Sequence, residues 1–422
     1  MRKNPGLKAV LDQKIRAFAL KVWQLGLSGA VRLALAHVLR RFLGRHVPTF
    51  ATRKRDIVDT YAFVLRESAE VSAETEGPDR MVNWVIPPFA PGSGGHLNIF
   101  RMIGMLESHG YRHRIYIAGE NAFTSGDEAR RQIIENFVPL NAQVFLRAER
   151  MAPADFVAAT SWDTAYWMKD FPACRHRLYF VQDFEPYFYA RSSEFAFAEA
   201  TYRMGLIGIT AGQWLADLLR RDYGMQAAPF GFSYEKDRYA PRPRDEGPRR
   251  VFFYARHVTP RRGFELGILA LALLHRRLPD VEYVLAGWDT GEFHLPFPHL
   301  NAGVLALDEL PGLYSQCDAA LVLSFTNLSL LPLEVMACGC PVVSNRGPNV
   351  EWLLRDGENA LLCDPTPQAV ASTLERLLTD GPLRRKLVRQ GIEFAALTDW
   401  EEEGRRVASY LDALKTTGRL PA

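Results

Sequence analysis

Short apolar runs that alternate with helical segments, in two successive series, constrain this chain more than any other feature of its sequence. The first series begins with MVNWVIPPF at residues 81–89, and the second begins with RVFFYAR at residues 250–256. Strands of a parallel sheet that is covered on both faces have this composition, and a helical crossover joins each strand to the next. The pattern therefore predicts an α/β chain with two doubly wound parallel sheets.

Polar and proline-rich stretches indicate where these parts begin and end. Residues 67–80 end in a Gly-Pro turn and residues 236–249 are charged and rich in proline, which is typical of linkers. Because ligands of such folds bind at the carboxyl ends of the strands, we expect the site in the cleft between the two sheets. We expect five parts: a basic helical extension with its linker (1–80), a first Rossmann-like domain (81–235), a linker (236–249), a second Rossmann-like domain (250–397) and a C-terminal helix that returns to the first domain (398–422).

The charge of the chain is concentrated at its N-terminal end. Residues 1–55 carry thirteen Lys or Arg and one acid, Asp12, which gives +12, while the remaining residues sum to −9. An acidic body argues against a nucleic-acid partner. Charges at Lys21 and Arg32 interrupt the apolar stretch 20–39, so this stretch does not fit a membrane-spanning helix. Two interpretations stay open: helices that lie on an anionic membrane surface, and a basic extension that packs on the body.

The five cysteines are scattered, without CxxC spacing, which argues against a zinc site and predicts a reduced, cytoplasmic chain. The N-terminal residues lack the uninterrupted apolar core of a signal peptide, in agreement with that location.

Three segments carry residues suited to bind an anion. Gly94 and Gly95 open a predicted helix directly after a strand, where backbone N–H groups can approach a phosphate. Arg256 and Arg262 follow the first strand of the second series, and their guanidinium groups can neutralise a diphosphate. For both segments a purely structural role stays open, as a tight turn and as a solvated basic turn.

The third segment, SFTNLSLLPLEVMACGCPVV at residues 324–343, is the most specific. A strand is followed by a short loop and by a helix that begins near Leu331, with Glu334 in its first turn. The Glu334 carboxylate can accept hydrogen bonds from sugar hydroxyls, while the N–H groups of Leu330 and Leu331 face a phosphate. Alternatively, Glu334 only complements the helix dipole.

Residues 324–343 resemble the signature of glycosyltransferase family 4, retaining enzymes with the GT-B fold of two Rossmann-like domains that face each other across a cleft. The resemblance spans roughly residues 82–395 and includes Gly94-Gly95, Arg256 and Arg262-Gly263. It implies that residues 81–235 bind the acceptor and residues 250–397 the donor, with Glu334 on the nucleotide ribose. Where the family has its first Glu, this chain has Thr326, beside Asn327.

FVQDFEP and TNLSLLPLEVMACGCPVV together resemble a narrower group, the rhamnosyltransferases that build surface glycans from dTDP-L-rhamnose. The resemblance implies retaining, metal-independent transfer of L-rhamnose to a growing, lipid-linked surface polysaccharide, without a cofactor, at the inner face of the cell membrane. The predicted catalytic residues are Asp183, Arg256 and Arg262, with Asp183 orienting the sugar or the acceptor. The predicted donor-binding residues are Gly94, Gly95, Arg256, Arg262, Thr326, Asn327, Leu330, Leu331 and Glu334. Two alternatives are a sugar-nucleotide epimerase on the same fold and an inactive, glycan-binding scaffold.

Overall fold

The computed structural model of the chain describes residues 57–65 and 77–421. The chain divides into two compact units, Met1–Ala62 and Phe63–Ala422. In the first unit, Ile57–Thr60 form a short helix, α1. The basic residues 1–55, to which the membrane-surface interpretation applies, lie outside the described residues. Both Rossmann-like domains belong to the second unit.

Seven parallel strands form the first sheet, in the order β3-β2-β1-β4-β5-β6-β7. Every residue of β1 and β4 is buried, as their continuous apolar sequences predict. The strands are β1 (Met81–Ile86), β2 (Arg112–Ile117), β3 (Gln143–Phe145), β4 (Ala154–Ala159), β5 (Cys174–Val181), β6 (Ile207–Ala211) and β7 (Ala227–Phe230). The helices are α2 (Gly94–Ser108), α3 (Gly126–Asn136), α4 (Trp162–Met168), α5 (Ser193–Ala200) and α6 (Gln213–Tyr223).

Six parallel strands form the second sheet, in the order β10-β9-β8-β11-β12-β13. These strands are β8 (Arg250–Tyr254), β9 (Glu282–Ala286), β10 (His299–Gly303), β11 (Ala319–Leu321), β12 (Val342–Asn345) and β13 (Ala360–Cys363). The helices are α7 (Phe264–Arg277), α8 (Leu310–Ser315), α9 (Leu331–Ala337), α10 (Pro348–Glu351), α11 (Pro367–Thr379), α12 (Gly381–Ala396) and α13 (Trp400–Thr417). In both sheets the chain starts in the middle, fills one edge and then crosses to the other, so the predicted doubly wound fold class is confirmed.

One strand is shorter than its sequence predicts. The apolar run 319–325 predicts a strand along its whole length, but β11 ends at Leu321. Beyond it, the N–H of Ser324 donates to the side-chain Oδ1 of Asn345 at 2.9 Å and not to a strand carbonyl. The Asn345 side chain thus replaces a backbone acceptor of the sheet, and the residues that follow form the loop that carries Thr326 and Asn327.

Helix α13 packs against the first domain after the chain has completed the second. Asp412 of this helix accepts hydrogen bonds from Arg80 at 2.9 Å and from the Tyr111 hydroxyl at 2.8 Å. Near the start of the helix, Gly404 lies so close to Met105 of α2 that a Cβ there would be 2.7 Å from the Met105 side chain. Both ends of α13 are therefore fixed to the first domain.

Candidate functional site at the carboxyl edges of the two sheets

Asp183, two residues beyond β5, joins the two domains through its carboxylate. Its Oδ2 accepts a hydrogen bond from the Thr326 hydroxyl at 2.8 Å, and its Oδ1 accepts one from the Asn327 N–H at 2.7 Å. The Nε of Arg261 lies 3.5 Å from Oδ2. Only 8% of the residue is exposed to solvent. The carboxyl edges of the two sheets, which the sequence predicts to border a cleft, are thus in direct contact at this point.

Asn327 strengthens this contact with its side chain. Its Nδ2 donates to the backbone oxygens of Gln182 at 3.0 Å and Ala211 at 2.7 Å, at the ends of β5 and β6. Its Oδ1 accepts from Trp352 Nε1 at 2.9 Å. Asn327 is fully buried, so each of these bonds replaces one that water would otherwise make.

Arg262 holds the same loop from within the second domain. It follows β8 by way of a 3₁₀ turn, Pro260–Arg262, and donates through Nη1 to the Ser324 hydroxyl at 2.8 Å and to the Asn327 backbone oxygen at 3.1 Å. Arg262 therefore positions the loop that contacts Asp183.

Arg256 and Arg261 complete an arginine cluster with Arg262. Arg256 donates to the Thr259 hydroxyl at 3.0 Å and lies over the Trp288 ring, while Arg261 lies 4.1 Å from the centre of the Phe188 ring. Burial lowers the pKa of Arg261, as do the charges of Arg262 and Arg256, while Asp183 raises it. Arg256 and Arg262 thus both act on Arg261, which lies beside the Asp183 carboxylate, and this concentration of positive charge favours the binding of an anion.

The pKa of Asp183 reflects the balance between burial and these partners. Burial raises the pKa of the carboxyl group, while Arg262, the Asn327 N–H, Arg261 and the Thr326 hydroxyl lower it. Since loss of water is the largest effect, the carboxylate depends on its cationic and hydrogen-bonding partners to stay ionised.

The glycine turn contacts the same edge of the first sheet. Gly94 and Gly95 begin α2, and Ser93, the N-cap residue, bonds through its hydroxyl to His96 at 2.8 Å and not to the helix backbone. The side chain of Gln182 donates to the Gly95 backbone oxygen at 3.1 Å. The first turn of α2 and the residue before Asp183 are therefore directly connected.

Glu334 lies in the first turn of α9, as predicted, with Leu330 as N-cap and Leu331 as first helical residue. The pKa of Glu334 is raised to about 7: burial and the neighbouring Glu235 raise it, while Arg101 and the Tyr239 hydroxyl lower it. Glu334, a residue of the second domain, thus has charged neighbours from the first domain, and a pKa of about 7 leaves its carboxyl group divided between its two protonation states at neutral pH.

The structure brings one group of the predicted residues together and places the others around it. Asp183, Arg262, Thr326 and Asn327 form one hydrogen-bonded group, in which Thr326 and Asn327 bond to Asp183 and Arg262 bonds to Asn327. The contacts recorded for the other predicted residues do not reach Asp183: Gly95 is linked to this group through Gln182, Arg256 through charge, and Glu334 belongs to the cluster around Glu235. The sequence analysis missed Arg261, Gln182 and Trp352. Arg261 could have been found as the neighbour of Arg262, but only Arg262 precedes a glycine.

A second buried carboxyl group, Glu185, is held behind Asp183. Its Oε2 accepts from the Trp162 N–H at 2.6 Å. The pKa of Glu185 is raised to about 8: burial and the negative charge of Asp163 raise it, while the Trp162 N–H lowers it. Between about pH 4.5 and 8 the folded protein keeps the proton of the Glu185 carboxyl group, while the unfolded chain releases it. The free energy of unfolding therefore falls as the pH rises through this range.

We expect Glu185→Gln to remove this loss, because the amide oxygen still accepts from Trp162 and carries no charge. The variant should gain stability relative to the unsubstituted protein between pH 4.5 and 8, by at most about 1.4 kcal/mol per pH unit. Urea unfolding at a series of pH values measures the difference. A constant difference across this range would contradict the prediction.

Two protein-family models match the chain. The WsaF N-terminal domain matches residues 122–211, and the WsaF C-terminal domain matches residues 249–375. Together the two ranges cover about half of the chain. The first contains Asp183 and the second contains the arginine cluster, Thr326, Asn327 and Glu334.

Curated relatives resemble the chain over different lengths. The O-antigen biosynthesis protein RfbC of Myxococcus xanthus is 37% identical over 380 residues, which are 87% of this chain and 30% of RfbC. A GDP-mannose-dependent phosphatidylinositol monomannoside mannosyltransferase of Mycolicibacterium smegmatis is 27% identical over 42% of this chain and 54% of its own length. The chain thus spans between about a third and about half of the length of these relatives.

Solved structures with the same fold cover most of the chain. Sucrose-phosphate synthase of Thermosynechococcus elongatus has a TM-score of 0.63 at 16% identity, over 79% of this chain and 99% of its own. The Anabaena protein HepE, solved in complex with UDP-glucose, has a TM-score of 0.62 at 15% identity, over 79% and 100%. At these identities the likeness concerns the fold.

Proposed function

Because this chain belongs to the GT-B glycosyltransferases and carries both WsaF domains, we propose that it transfers a sugar from a nucleotide diphosphate to a growing surface polysaccharide. The observation that carries the proposal is the cluster of Arg256, Arg261 and Arg262 at the carboxyl edge of the second sheet, with Asp183 opposite. The relatives are named for O-antigen biosynthesis and for mannosyl transfer, which favours transfer over the epimerase and the inactive scaffold.

The proposed mechanism uses the arginines on the leaving group and Asp183 on the reacting sugars. As the anomeric carbon becomes oxocarbenium-like, negative charge grows on the leaving diphosphate, and Arg256 and Arg262 stabilise that charge without a metal ion. Asp183 would orient the sugar or the acceptor hydroxyl. Retention follows if the leaving phosphate helps to deprotonate an acceptor bound on its own face of the sugar.

The proposed donor is dTDP-L-rhamnose. Support comes from the resemblance of FVQDFEP and of residues 326–343 to rhamnosyltransferases, and from the neutral Thr326 at a position where the wider family has a carboxylate. L-Rhamnose is a 6-deoxy sugar and lacks the 6-hydroxyl of an ordinary hexose. A donor site with one carboxylate fewer to accept a hydrogen bond is compatible with such a sugar.

A panel of nucleotide sugars tests donor and activity together. We expect dTDP-L-rhamnose to raise the melting temperature more than UDP-glucose or GDP-mannose, since a donor at 100 times its Kd adds about 2.7 kcal/mol of stability. Release of the nucleoside diphosphate in the presence of a glycan acceptor, and none without it, supports transfer. Stabilisation and turnover by UDP-glucose alone would refute the rhamnose donor, and release without an acceptor would refute transfer.

Glu334→Ala is expected to weaken binding of the nucleoside diphosphate, because the carboxylate would lose its hydrogen bonds to the ribose. One charge-assisted hydrogen bond corresponds to about 1.5–3 kcal/mol, or a Kd raised roughly 10- to 150-fold. Calorimetry with dTDP measures the change, and Glu358→Ala, an exposed acidic residue of the same domain, serves as control. Unchanged affinity for dTDP in Glu334→Ala would remove Glu334 from the donor site.

Residues 1–55 are proposed to bind an anionic membrane at the inner face of the cell membrane, where a lipid-linked acceptor would lie. None of the helices in the described part of the chain is long and apolar enough to cross a membrane. A charge of +12 supports surface attachment, since each Lys or Arg near an anionic surface contributes about 1 kcal/mol.

Deletion of residues 1–55 should abolish co-sedimentation with phosphatidylserine-containing liposomes and spare transfer to a soluble acceptor analogue. Full-length protein should also release from the liposomes at 1 M salt, where the Debye length falls to about 3 Å. Equal sedimentation of the full-length and shortened proteins would reject attachment through this segment.

A further inference from the structure

The groups that surround the Asp183 carboxylate are those that bind phosphate in proteins. A hydroxyl (Thr326), a backbone N–H (Asn327) and the Arg261 guanidinium group lie against it, and the charge of Arg262 acts on it as well. Convergent N–H, hydroxyl and guanidinium donors form strong, charge-assisted hydrogen bonds with oxyanions. The site around the carboxylate is therefore chemically suited to an anion that carries more charge than Asp183.

Positive charge also exceeds negative charge around Asp183. The charges of Arg262 and Arg256 lower the pKa of Arg261, and the Asp183 carboxylate raises it. In the described part of the chain, the buried Nε–H of Arg261 has no hydrogen-bond acceptor, although Asp183 Oδ2 lies 3.5 Å away. A buried donor without an acceptor is costly, and a larger oxyanion at this place would supply one.

We propose that this seat, formed by Arg261, Arg262, the Thr326 hydroxyl and the Asn327 N–H, binds a phosphate group of the donor, and that Asp183 occupies it in the donor-free enzyme. The proposal rests on the proposed function and extends it. Because the same donors cannot serve both anions, Asp183 competes with the donor and leaves the seat when the donor binds. The Asp183 carboxylate is then free to orient a sugar hydroxyl.

Departure of Asp183 removes two of the hydrogen bonds between the two carboxyl edges. The loop that carries Thr326 and Asn327 is also bonded to Gln182 and Ala211 of the first domain. Trp352, which bonds to Asn327, lies against Gly212, where a Cβ would be 2.7 Å from its ring. Entry of a phosphate group should shift the loop that carries Asn327. Because Trp352 is bonded to Asn327, we expect its ring to move away from Gly212 and become exposed to water.

The test uses inorganic pyrophosphate as probe and the full-length chain. A ligand-binding role of Asp183 predicts that its loss weakens binding, whereas competition predicts that its loss tightens binding. If Asp183 leaves the seat free in about a tenth of the unsubstituted molecules, Asp183→Asn should lower the Kd for pyrophosphate about tenfold, as measured by calorimetry. Arg261→Ala should raise the Kd. Glu185→Gln, which removes a neighbouring buried carboxyl group outside the seat, is the matched control and should change it less than twofold.

An unchanged or raised Kd in Asp183→Asn, or an equal decrease in Glu185→Gln, would overturn the proposal, as would the absence of pyrophosphate binding in all variants. Tryptophan fluorescence of the unsubstituted protein tests the proposal even if Asp183→Asn does not fold. Pyrophosphate should shift tryptophan emission to the red, and Trp352→Phe should lose the shift; no shift counts against the proposal. If the protein transfers a sugar but Asp183→Asn does not bind pyrophosphate more tightly, only this proposal is refuted. If Asp183→Asn binds pyrophosphate more tightly but the protein transfers no sugar, only the proposed function is refuted.

Discussion

Arg256→Ala is expected to lower kcat by about 10²–10³, the usual effect of removing one group that stabilises charge in a transition state. The Arg256 side chain bonds to Thr259 and lies over Trp288, and neither contact bridges the domains. Its loss should therefore leave the melting temperature nearly unchanged. Turnover at saturating donor, with the nucleoside diphosphate as measured product, gives the effect.

Arg262→Ala should lower kcat as strongly and in addition reduce stability, because Arg262 holds the Ser324 hydroxyl and the Asn327 carbonyl. Arg277→Ala is the matched control. This arginine bonds to Ser372 and Glu375 on the surface of the same domain and should retain normal turnover. Wild-type kcat in Arg256→Ala or Arg262→Ala would withdraw that arginine from the mechanism.

Asn327→Ala is expected to be the most destabilising single substitution at the domain contact. It leaves the partly buried carbonyl of Gln182 and the buried carbonyl of Ala211 without this donor and removes one acceptor of Trp352. Each buried polar group left unpaired costs about 1–3 kcal/mol, so a loss of roughly 3–5 kcal/mol in the free energy of unfolding follows.

Urea unfolding followed by circular dichroism measures this loss. Asn121→Ala is the control: Asn121 is only partly buried, and its side chain bonds locally to Gly119 and Phe123, so it should cost less than about 0.5 kcal/mol. A similar small cost for Asn327→Ala would mean that the carbonyls of Gln182 and Ala211 find other partners.

The sequence allowed two parallel sheets to be predicted because their strands and helices are encoded by local signals. Apolar runs such as those of β1 and β4 are buried on both faces, and a parallel sheet is the arrangement that buries them. Proline in the first turn likewise indicated the start of α9. Short edge strands such as β3 and β10 were missed, since three to five half-exposed residues lack a clear apolar pattern.

The candidate site could be predicted only as a set of residue types. Thr326 and Asn327 were placed on the donor side from their position before α9, but their contacts with Asp183, Gln182 and Ala211 join residues more than 110 positions apart. No periodicity in the chain encodes such a contact. The same holds for Glu334, whose neighbour Glu235 belongs to the end of the first domain's sequence.

Helix α13 has a consequence for the order in which the protein can be made. The first domain is synthesised from residue 81 onwards, yet Gly404 and Asp412, which contact Met105, Arg80 and Tyr111, are synthesised only after the second domain. While the ribosome is still translating the second domain, the nascent first domain therefore exposes the face of α2 that α13 will cover. Domains commonly fold as they emerge, but this one is completed only by a helix that follows the whole second domain in the chain.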